Sequence, residues 1–305
     1  MSRTIPFQKP VYDLAEQVDW LQRHGMSISD LAHAEHNLRF IGFYRLSGYW
    51  IPFQYRDNSH SHDDFKPNTA FDLVLDHYFF DRKLRVLIID ALERIEVAAR
   101  STISNTMSVQ FGPHSYLDPS RFTQKDFDHK KFLERILFET GIEPPNRHKK
   151  TNFIRHYLNK YDRPTEPPSW MVFETLPFGS VSFVYQKIGT SPKRTVANSF
   201  GISQDLMQYW LHASSHLRNL CAHHSRIWNR EFGIAPKIAK GEGHCVAKPK
   251  RFYWHAVAIQ TMLRAISSET RWGGRLQDLL SSHPGIPIAH MGFPNDWAKQ
   301  SFWSN

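Results

Sequence analysis

The chain has 305 residues, enough for one large domain or two modest ones. Hydrophobic residues make up 41% of it and aromatic residues 14%, which excludes a disordered or low-complexity protein. A formal net charge of +9 makes a polyanion such as nucleic acid one candidate partner, although many basic proteins bind none.

Cysteine content and hydropathy bear on the compartment. The two cysteines, Cys221 and Cys245, are too few for a disulfide framework or a four-thiolate zinc site. The first residues lack the apolar run of a signal peptide, and no stretch of 18 uncharged apolar residues occurs. We therefore expect a soluble, cytoplasmic protein with no membrane partner.

The N-terminal part combines helical and aromatic patterns. Residues 12–40 predict helices broken by a turn at Gly25. Residues 43–54 are rich in aromatics without helical periodicity, so we expect a packing role with Gly48 and Pro52 breaking any helix. The polar loop that follows is interpreted as solvated, although four side chains offer metal-ligand chemistry: His60, His62, Asp63 and Asp64.

The central part predicts one long helix over residues 70–107, followed by two shorter helices within 121–163. On the long helix, Glu96 and Arg100 are four residues apart and predict a surface ion pair. The stretch 121–163 ends with a run of basic residues. This run indicates either a solvated face or a surface that binds RNA phosphates. The candidates for RNA binding in it are Lys149, Lys150, Arg155 and Lys160.

The C-terminal part adds a proline-rich connector over 164–179, which enters a helix near Trp170 and is interrupted at Pro177 and Gly179. Further helices are predicted over 203–232, 252–268 and 272–281. A second basic patch precedes the last two helices and contains Lys237, Lys240, Lys248, Lys250 and Arg251.

No convincing strand pattern occurs, so the predicted class is all-α. We expect an N-terminal helical and aromatic region over 1–69 and a helical core over 70–285. A tail over 286–305 would dock on that core through its tryptophans.

The helix predicted over 203–232 has two contrasting faces. An apolar stripe recurs every three or four residues and includes Leu217, His224 and Ile227, so His224 is expected in the core. The opposite flank is polar, contains no acidic residue, and consists of His212, Ser215, His216, Asn219, His223, Arg226 and Arg230.

Arg218 and His223 on this helix match what RNA cleavage needs. An imidazole can move protons near neutral pH, and a guanidinium can stabilise the charged phosphorane. Because cleavage needs two proton transfers, one histidine per chain favours a symmetric dimer. The bare spacing also occurs by chance, and His212 with His216 lacks a third zinc ligand. Cys221 is interpreted as a small core residue.

Several blocks in order resemble the Abi-like family, the AbiD/AbiF group of bacterial abortive-infection proteins. The blocks are RNLCAHHSRIWNREF (218–232), FYRLSGYWIPF (43–53), FDRKLRVLIIDALERIEVAARSTI (80–103), GPHSYLDPSRF (112–122), PPSWMVFETLPFGSVSFVY (167–185) and MGFPNDW (291–297). The resemblance implies a HEPN-like helical bundle, here with an N-terminal helical extension. It also implies a motif formed by Arg218, Asn219 and His223.

The resemblance further implies a metal-independent endoribonuclease without cofactors, active as a homodimer in phage defence. Arg218 would stabilise phosphate charge, His223 would act as general acid or base, and Asn219 would orient His223 or the phosphate. Glu96 is a candidate helper. The candidate RNA ligands outside the first basic run are His216, Arg226, Arg230, Lys248, Lys250 and Arg251.

Two other classes of function remain open from the sequence. One is an RNA-binding module that holds a cognate structured small RNA without cutting it, as some relatives are encoded beside such an RNA. The other is a purely structural dimerisation bundle.

Overall fold

The structure, a computed structural model, describes residues 10–57, 59–123, 127–142, 151–238 and 248–303. Within these ranges the chain forms twelve α-helices and no β-strand, which confirms the all-α class. The helices are α1 (Leu14–Arg23), α2 (Leu31–Ile41), α3 (Phe43–Trp50), α4 (Phe71–Phe111), α5 (His129–Thr140), α6 (Asn152–Lys160), α7 (Ser169–Thr175), α8 (Phe178–Lys187), α9 (Thr190–Ser199), α10 (Gln204–Ala222), α11 (Phe252–Ile266) and α12 (Trp272–Ser281).

The chain divides into two compact units, Met1–Lys83 and Leu84–Asn305. The division falls inside α4, so this helix contributes residues to each unit. The segments predicted over 1–69, 70–285 and 286–305 have other boundaries and stay a prediction.

In the first unit, α1 begins with a capping box. The Asp13 carboxylate accepts a hydrogen bond from the Glu16 backbone N–H, and the Glu16 carboxylate accepts one from the Asp13 N–H, each at 2.8 Å. These two bonds satisfy N–H groups that would otherwise lack partners at the helix start.

The aromatic segment of the first unit corrects one expectation. Residues 43–50 form α3 rather than an irregular stretch, with Gly48 inside the helix. Tyr49 and Trp50 are buried, so apolar packing outweighs the weak helix propensity of a single glycine. The predicted packing role is therefore confirmed for Tyr49 and Trp50 but not for Tyr44, which is 92% exposed.

In the second unit, α10 packs against α8, α9 and α11. The core there includes Met207, Leu211 and Leu217, all fully buried. The interruption predicted at Pro177 is correct, because this residue lies between α7 and α8. The interruption predicted at Gly179 is wrong, because Gly179 lies within α8.

The segment after α12 is also anchored. Trp297 and Trp303 are buried, and the ring of Trp303 lies 6.1 Å from that of Tyr253 on α11. None of the described helices combines the length and the apolar character needed to cross a lipid bilayer.

Candidate active site

The helix α10 carries the predicted motif and is shorter than expected. The Ser203 hydroxyl caps its start by accepting a hydrogen bond from the Leu206 N–H at 3.2 Å. The helix ends at Ala222, so the prediction of a helix to residue 232 is wrong beyond that point. His223 is the C-terminal capping residue, and His224 adopts a left-handed backbone with φ of 55°.

The hydrogen bonds at this end form a Schellman motif. The Ser225 N–H donates to the Leu220 carbonyl at 2.8 Å, and the His224 N–H donates to the Cys221 carbonyl at 3.0 Å. The turn changes the direction of the chain directly after the motif. It therefore determines where the side chains of His223 and His224 lie.

The turn also overturns the predicted position of His224. His224 is exposed, whereas the helical pattern placed it in the core. Ile227 and Trp228 are fully buried, but they reach the interior from a non-helical segment. Ser215, expected on the polar flank, is buried and donates to the His212 carbonyl at 2.9 Å. Cys221 is buried as predicted.

Arg218 is held by an acidic partner on α4. Its Nη2 lies 3.2 Å from Oε2 and 3.3 Å from Oε1 of Glu96, and its Nε lies 3.3 Å from Oε2. Its third nitrogen, Nη1, donates to the Asn219 side-chain oxygen at 3.2 Å. The guanidinium plane is thus oriented by two neighbours, while 29% of the side chain stays accessible.

Glu96 also binds Arg100, so one carboxylate serves two guanidinium groups. Arg100 Nη2 lies 2.7 Å from Glu96 Oε1 and donates to the Leu176 carbonyl at 3.0 Å. The Glu96 and Arg100 side chains are only 15% and 13% exposed, so the predicted surface ion pair is largely buried. A second acid, Glu174, is exposed and lies 3.9 Å from Arg100.

His223 lies one turn after Asn219 and is exposed to solvent. Its backbone N–H donates to the Asn219 carbonyl at 2.9 Å, which fixes its main chain to the last helical turn. The structure therefore places Arg218 in contact with both Glu96 and Asn219 and places His223 at the adjoining helix end. An imidazole that is open to solvent and a fixed guanidinium can together bind and transform a phosphodiester.

A pocket of about 380 Å³ opens beside this motif. The lining residues lie mainly on α8 and α10 and comprise Arg135, Gly179, Ser182, Phe183, Gln186, Gln208, Tyr209, His212, Ser215, His216, Asn219 and Ile234. Tyr209 and Gln208 continue the three- and four-residue spacing of His212, His216 and Asn219. Their place on the same helix face could therefore have been predicted from the sequence. No comparable pattern predicted which residues of α8 and α5 line the pocket.

The pocket histidines lie in a positive environment. Partial burial, Arg230 and His212 lower the pKa of His216, in that order of importance. Behind it, full burial and then His216 lower the pKa of His255 to about 3, although a hydrogen bond with the Ile234 backbone opposes this. Both effects favour neutral imidazoles near pH 7.

The other predicted RNA ligands are distributed over the second unit. Arg226 and Arg230 follow α10, where Arg230 Nη1 donates to the Arg226 carbonyl at 3.4 Å. Arg155 and Lys160 are exposed on α6. Lys149 and Lys150 lie outside the described residues.

The basic patch that precedes α11 contacts the segment after the motif. Arg251 Nη1 donates to the Asn229 side-chain oxygen at 3.1 Å, and the Phe232 N–H donates to the Lys250 carbonyl at 2.9 Å. Lys250 Nζ lies 3.9 Å from Glu231, while Lys248 Nζ donates to the Ala289 carbonyl at 3.3 Å. Part of the positive charge of this patch is therefore already paired.

Metal-ligand side chains occur in the polar loop at residues 56–65 and in the pair His212 and His216. In the described part of the chain, no three side chains of the His, Cys, Asp and Glu types converge as a metal site would require.

The fold and the site together define an all-α protein that presents a guanidinium, an amide and an imidazole at the end of one helix. A family model described as Abi-like protein matches residues 36–229, well over half of the chain. The chain therefore belongs to the Abi-like protein family. Membership of this family suggests a role in abortive-infection defence against phage. Searches of curated proteins and of solved structures gave no match.

Proposed function

We propose that the protein is a metal-independent endoribonuclease of the HEPN type, which cuts RNA as a homodimer during abortive infection. The observation that carries this proposal is the orientation of Arg218 by Glu96 and Asn219, with His223 exposed at the adjoining helix end. A guanidinium held in this way can receive the two non-bridging oxygens of a phosphate without first being ordered.

The chemistry would be an internal transfer at phosphorus. The ribose 2′-oxygen loses its proton to a base and attacks the phosphorus, and the P–O5′ bond breaks. The leaving 5′-oxygen then takes a proton from an acid, so that the products are a 2′,3′-cyclic phosphate and a 5′-hydroxyl. Arg218 would stabilise the extra negative charge of the five-coordinate phosphorane.

Two proton transfers require two groups with opposite protonation states. Each chain supplies one imidazole within the motif, His223, so the complete site would contain the same residue from a second copy. His224 is also exposed, but it lies on the left-handed turn that follows the motif. One His223 imidazole would act as base while the other acts as acid. Asn219, which accepts a hydrogen bond from Arg218, would keep the guanidinium oriented toward the phosphate.

The remaining cations would bind the RNA backbone away from the reacting bond. Arg155 and Lys160 on α6 are exposed and face no acidic partner among the described contacts. Such contacts add affinity without base preference. Any sequence preference would therefore come from other groups near the motif.

The test is a comparison of wild-type protein with His223→Ala on total RNA in the presence of EDTA. We expect the wild type to cut the RNA and the variant to be inactive while it remains folded. Equal cleavage by both proteins, or cleavage by neither, would contradict the assignment.

A further inference from the structure

Most of the side chains that line the pocket beside the motif have no role in the proposed cleavage chemistry. It is connected to the motif through Asn219, which lines the pocket and also accepts a hydrogen bond from Arg218 at 3.2 Å. Its volume of about 380 Å³ falls in the range of small-molecule sites, roughly 300–1,000 Å³. A group bound there would lie directly next to a phosphate held by Arg218.

The charge around the pocket favours an anion. None of the described residues that line it is acidic, and Arg135 contributes a positive charge. Two lysines stand beside its aromatic rings. Lys187 Nζ lies 5.7 Å from the ring centre of Phe183. Lys237 Nζ lies 5.2 Å from that of Tyr209, but it pairs with Asp205, so Lys187 is the lysine here that adds positive charge. An acid-free concave surface of this kind concentrates negatively charged ligands.

The aromatic and amide side chains indicate more than an anion site. Phe183 and Tyr209 line the pocket and are 36% and 45% exposed, so each ring offers surface to a ligand. Gln186 and Gln208 add amide groups, which can both donate and accept hydrogen bonds. Stacking rings, amides and nearby cations are together what proteins use to bind unpaired nucleotides.

We propose that this pocket binds one nucleotide of the RNA strand next to the cut linkage. The base stacks on Phe183 or Tyr209, and its polar edge meets the amides of Gln186 and Gln208. The substrate identity rests on the proposed function, because the pocket alone would also suit a free nucleotide. The pocket thereby makes cleavage depend on an unpaired base at one position, whereas the backbone contacts impose no such requirement.

Binding is tested apart from cleavage, in protein that carries His223→Asn and therefore cuts the RNA too slowly to degrade it during the measurement. The probe is a fluorescein-labelled single-stranded RNA of eight nucleotides with mixed sequence. We expect Phe183→Ala or Tyr209→Ala to weaken binding by about 5- to 150-fold, as loss of a stacking ring does elsewhere. Phe138→Ala is the matched control, because Phe138 is a similarly exposed aromatic on α5 outside the pocket.

The possible outcomes separate the two proposals. Binding that survives both ring substitutions would overturn the nucleotide pocket and leave the nuclease proposal intact. A protein that neither binds nor cuts RNA would overturn the nuclease proposal itself. If the four ribonucleoside 5′-monophosphates each compete as well, mole for mole, as unlabelled octamer, the pocket serves a free nucleotide and its assignment to the RNA strand is wrong.

A second readout uses active protein. Sequencing of the RNA ends produced by the wild type should show a biased base at one position beside the cut, and Gln186→Ala with Gln208→Ala should flatten that bias. Unchanged bias in the double variant would exclude the two amides as the groups that read the base.

Discussion

Glu96 and Arg218 are 122 positions apart in the chain, and their side chains form a forked ion pair with Nη2 3.2 Å from Oε2 and 3.3 Å from Oε1. The same carboxylate binds Arg100 at 2.7 Å. Glu96 pairs with both guanidinium groups, while Arg100 has a second acid, Glu174, at 3.9 Å. Glu96 is thus a positioning residue for Arg218 in the proposed mechanism.

The first prediction concerns the substitution Glu96→Gln. It leaves Arg100 and Arg218 close together without the carboxylate that joins them, which should cost ~1–3 kcal/mol of unfolding free energy because the cluster is mostly shielded from water. Loss of the fixed guanidinium should also lower RNA cleavage by about 10- to 100-fold. Denaturant unfolding and a cleavage time course measure the two effects.

Glu93→Gln is the matched control, since Glu93 is exposed on the same helix. It should change neither quantity appreciably. If Glu96→Gln behaves like this control, Glu96 does not position Arg218.

The second prediction separates the two adjacent histidines. His223→Asn should reduce cleavage by about 10²- to 10⁴-fold, because it removes the group that transfers protons. His224→Asn should keep most of the activity. Asparagine tolerates the left-handed backbone at position 224, so that variant should also fold. Equal losses in both variants would mean that the turn as a whole, rather than one imidazole, supports activity.

The third prediction concerns acid stability and His255. Burial lowers the pKa of this side chain to about 3, while the unfolded chain has an ordinary histidine pKa of ~6.5. Between these values the unfolded chain binds a proton that the folded protein does not. The contribution of this group is therefore complete above pH ~6.5 and declines as the pH falls.

Between pH 7 and pH 5 this one group should remove ~2 kcal/mol of unfolding free energy. Urea titrations of the wild type and of His255→Asn at both pH values isolate its share, because the variant keeps every other titrating group. Parallel losses in the two proteins would show that His255 is not buried in its neutral form.

The fourth prediction concerns salt and the basic side chains of α6. If Arg155 and Lys160 contact phosphates, RNA affinity should fall steeply with salt, and each substitution by Gln should reduce the slope by ~0.7 for single-stranded RNA. Lys131→Gln on α5 serves as control, since that exposed lysine already pairs with Asp128 at 3.5 Å. If the substitutions on α6 leave the salt dependence of RNA affinity unchanged, this helix does not contact the RNA backbone.

Local patterns predicted much of the fold. The helix expected over 70–107 extends over Phe71–Phe111, and that expected over 272–281 matches Trp272–Ser281, because buried residues recur every three or four positions there. The end of α10 was missed for the same reason. Ile227 and Trp228 continue the apolar spacing after the helix has ended, and no glycine marks the left-handed turn at His224.

Local patterns could not predict the contacts between elements that are distant in the sequence. Glu96 was a candidate from its helix, but its pairing with Arg218 depends on how side chains 122 positions apart meet in the fold. The aromatic wall of the pocket depends in the same way on which face of α8 lies beside α10. Helical periodicity indicates which face of a helix is buried, but it does not indicate which other element that face packs against.

The chemistry of the cut RNA ends tests the central claim most directly. Wild-type protein in EDTA should leave a 2′,3′-cyclic phosphate on one fragment and a 5′-hydroxyl on the other, detectable by mass spectrometry of a short RNA substrate. A substrate with a 2′-deoxyribose at the cut position should resist cleavage completely. Fragments with 3′-hydroxyl and 5′-phosphate ends, or cleavage of the 2′-deoxy substrate, would contradict attack by the 2′-oxygen and with it the roles assigned to Arg218 and His223.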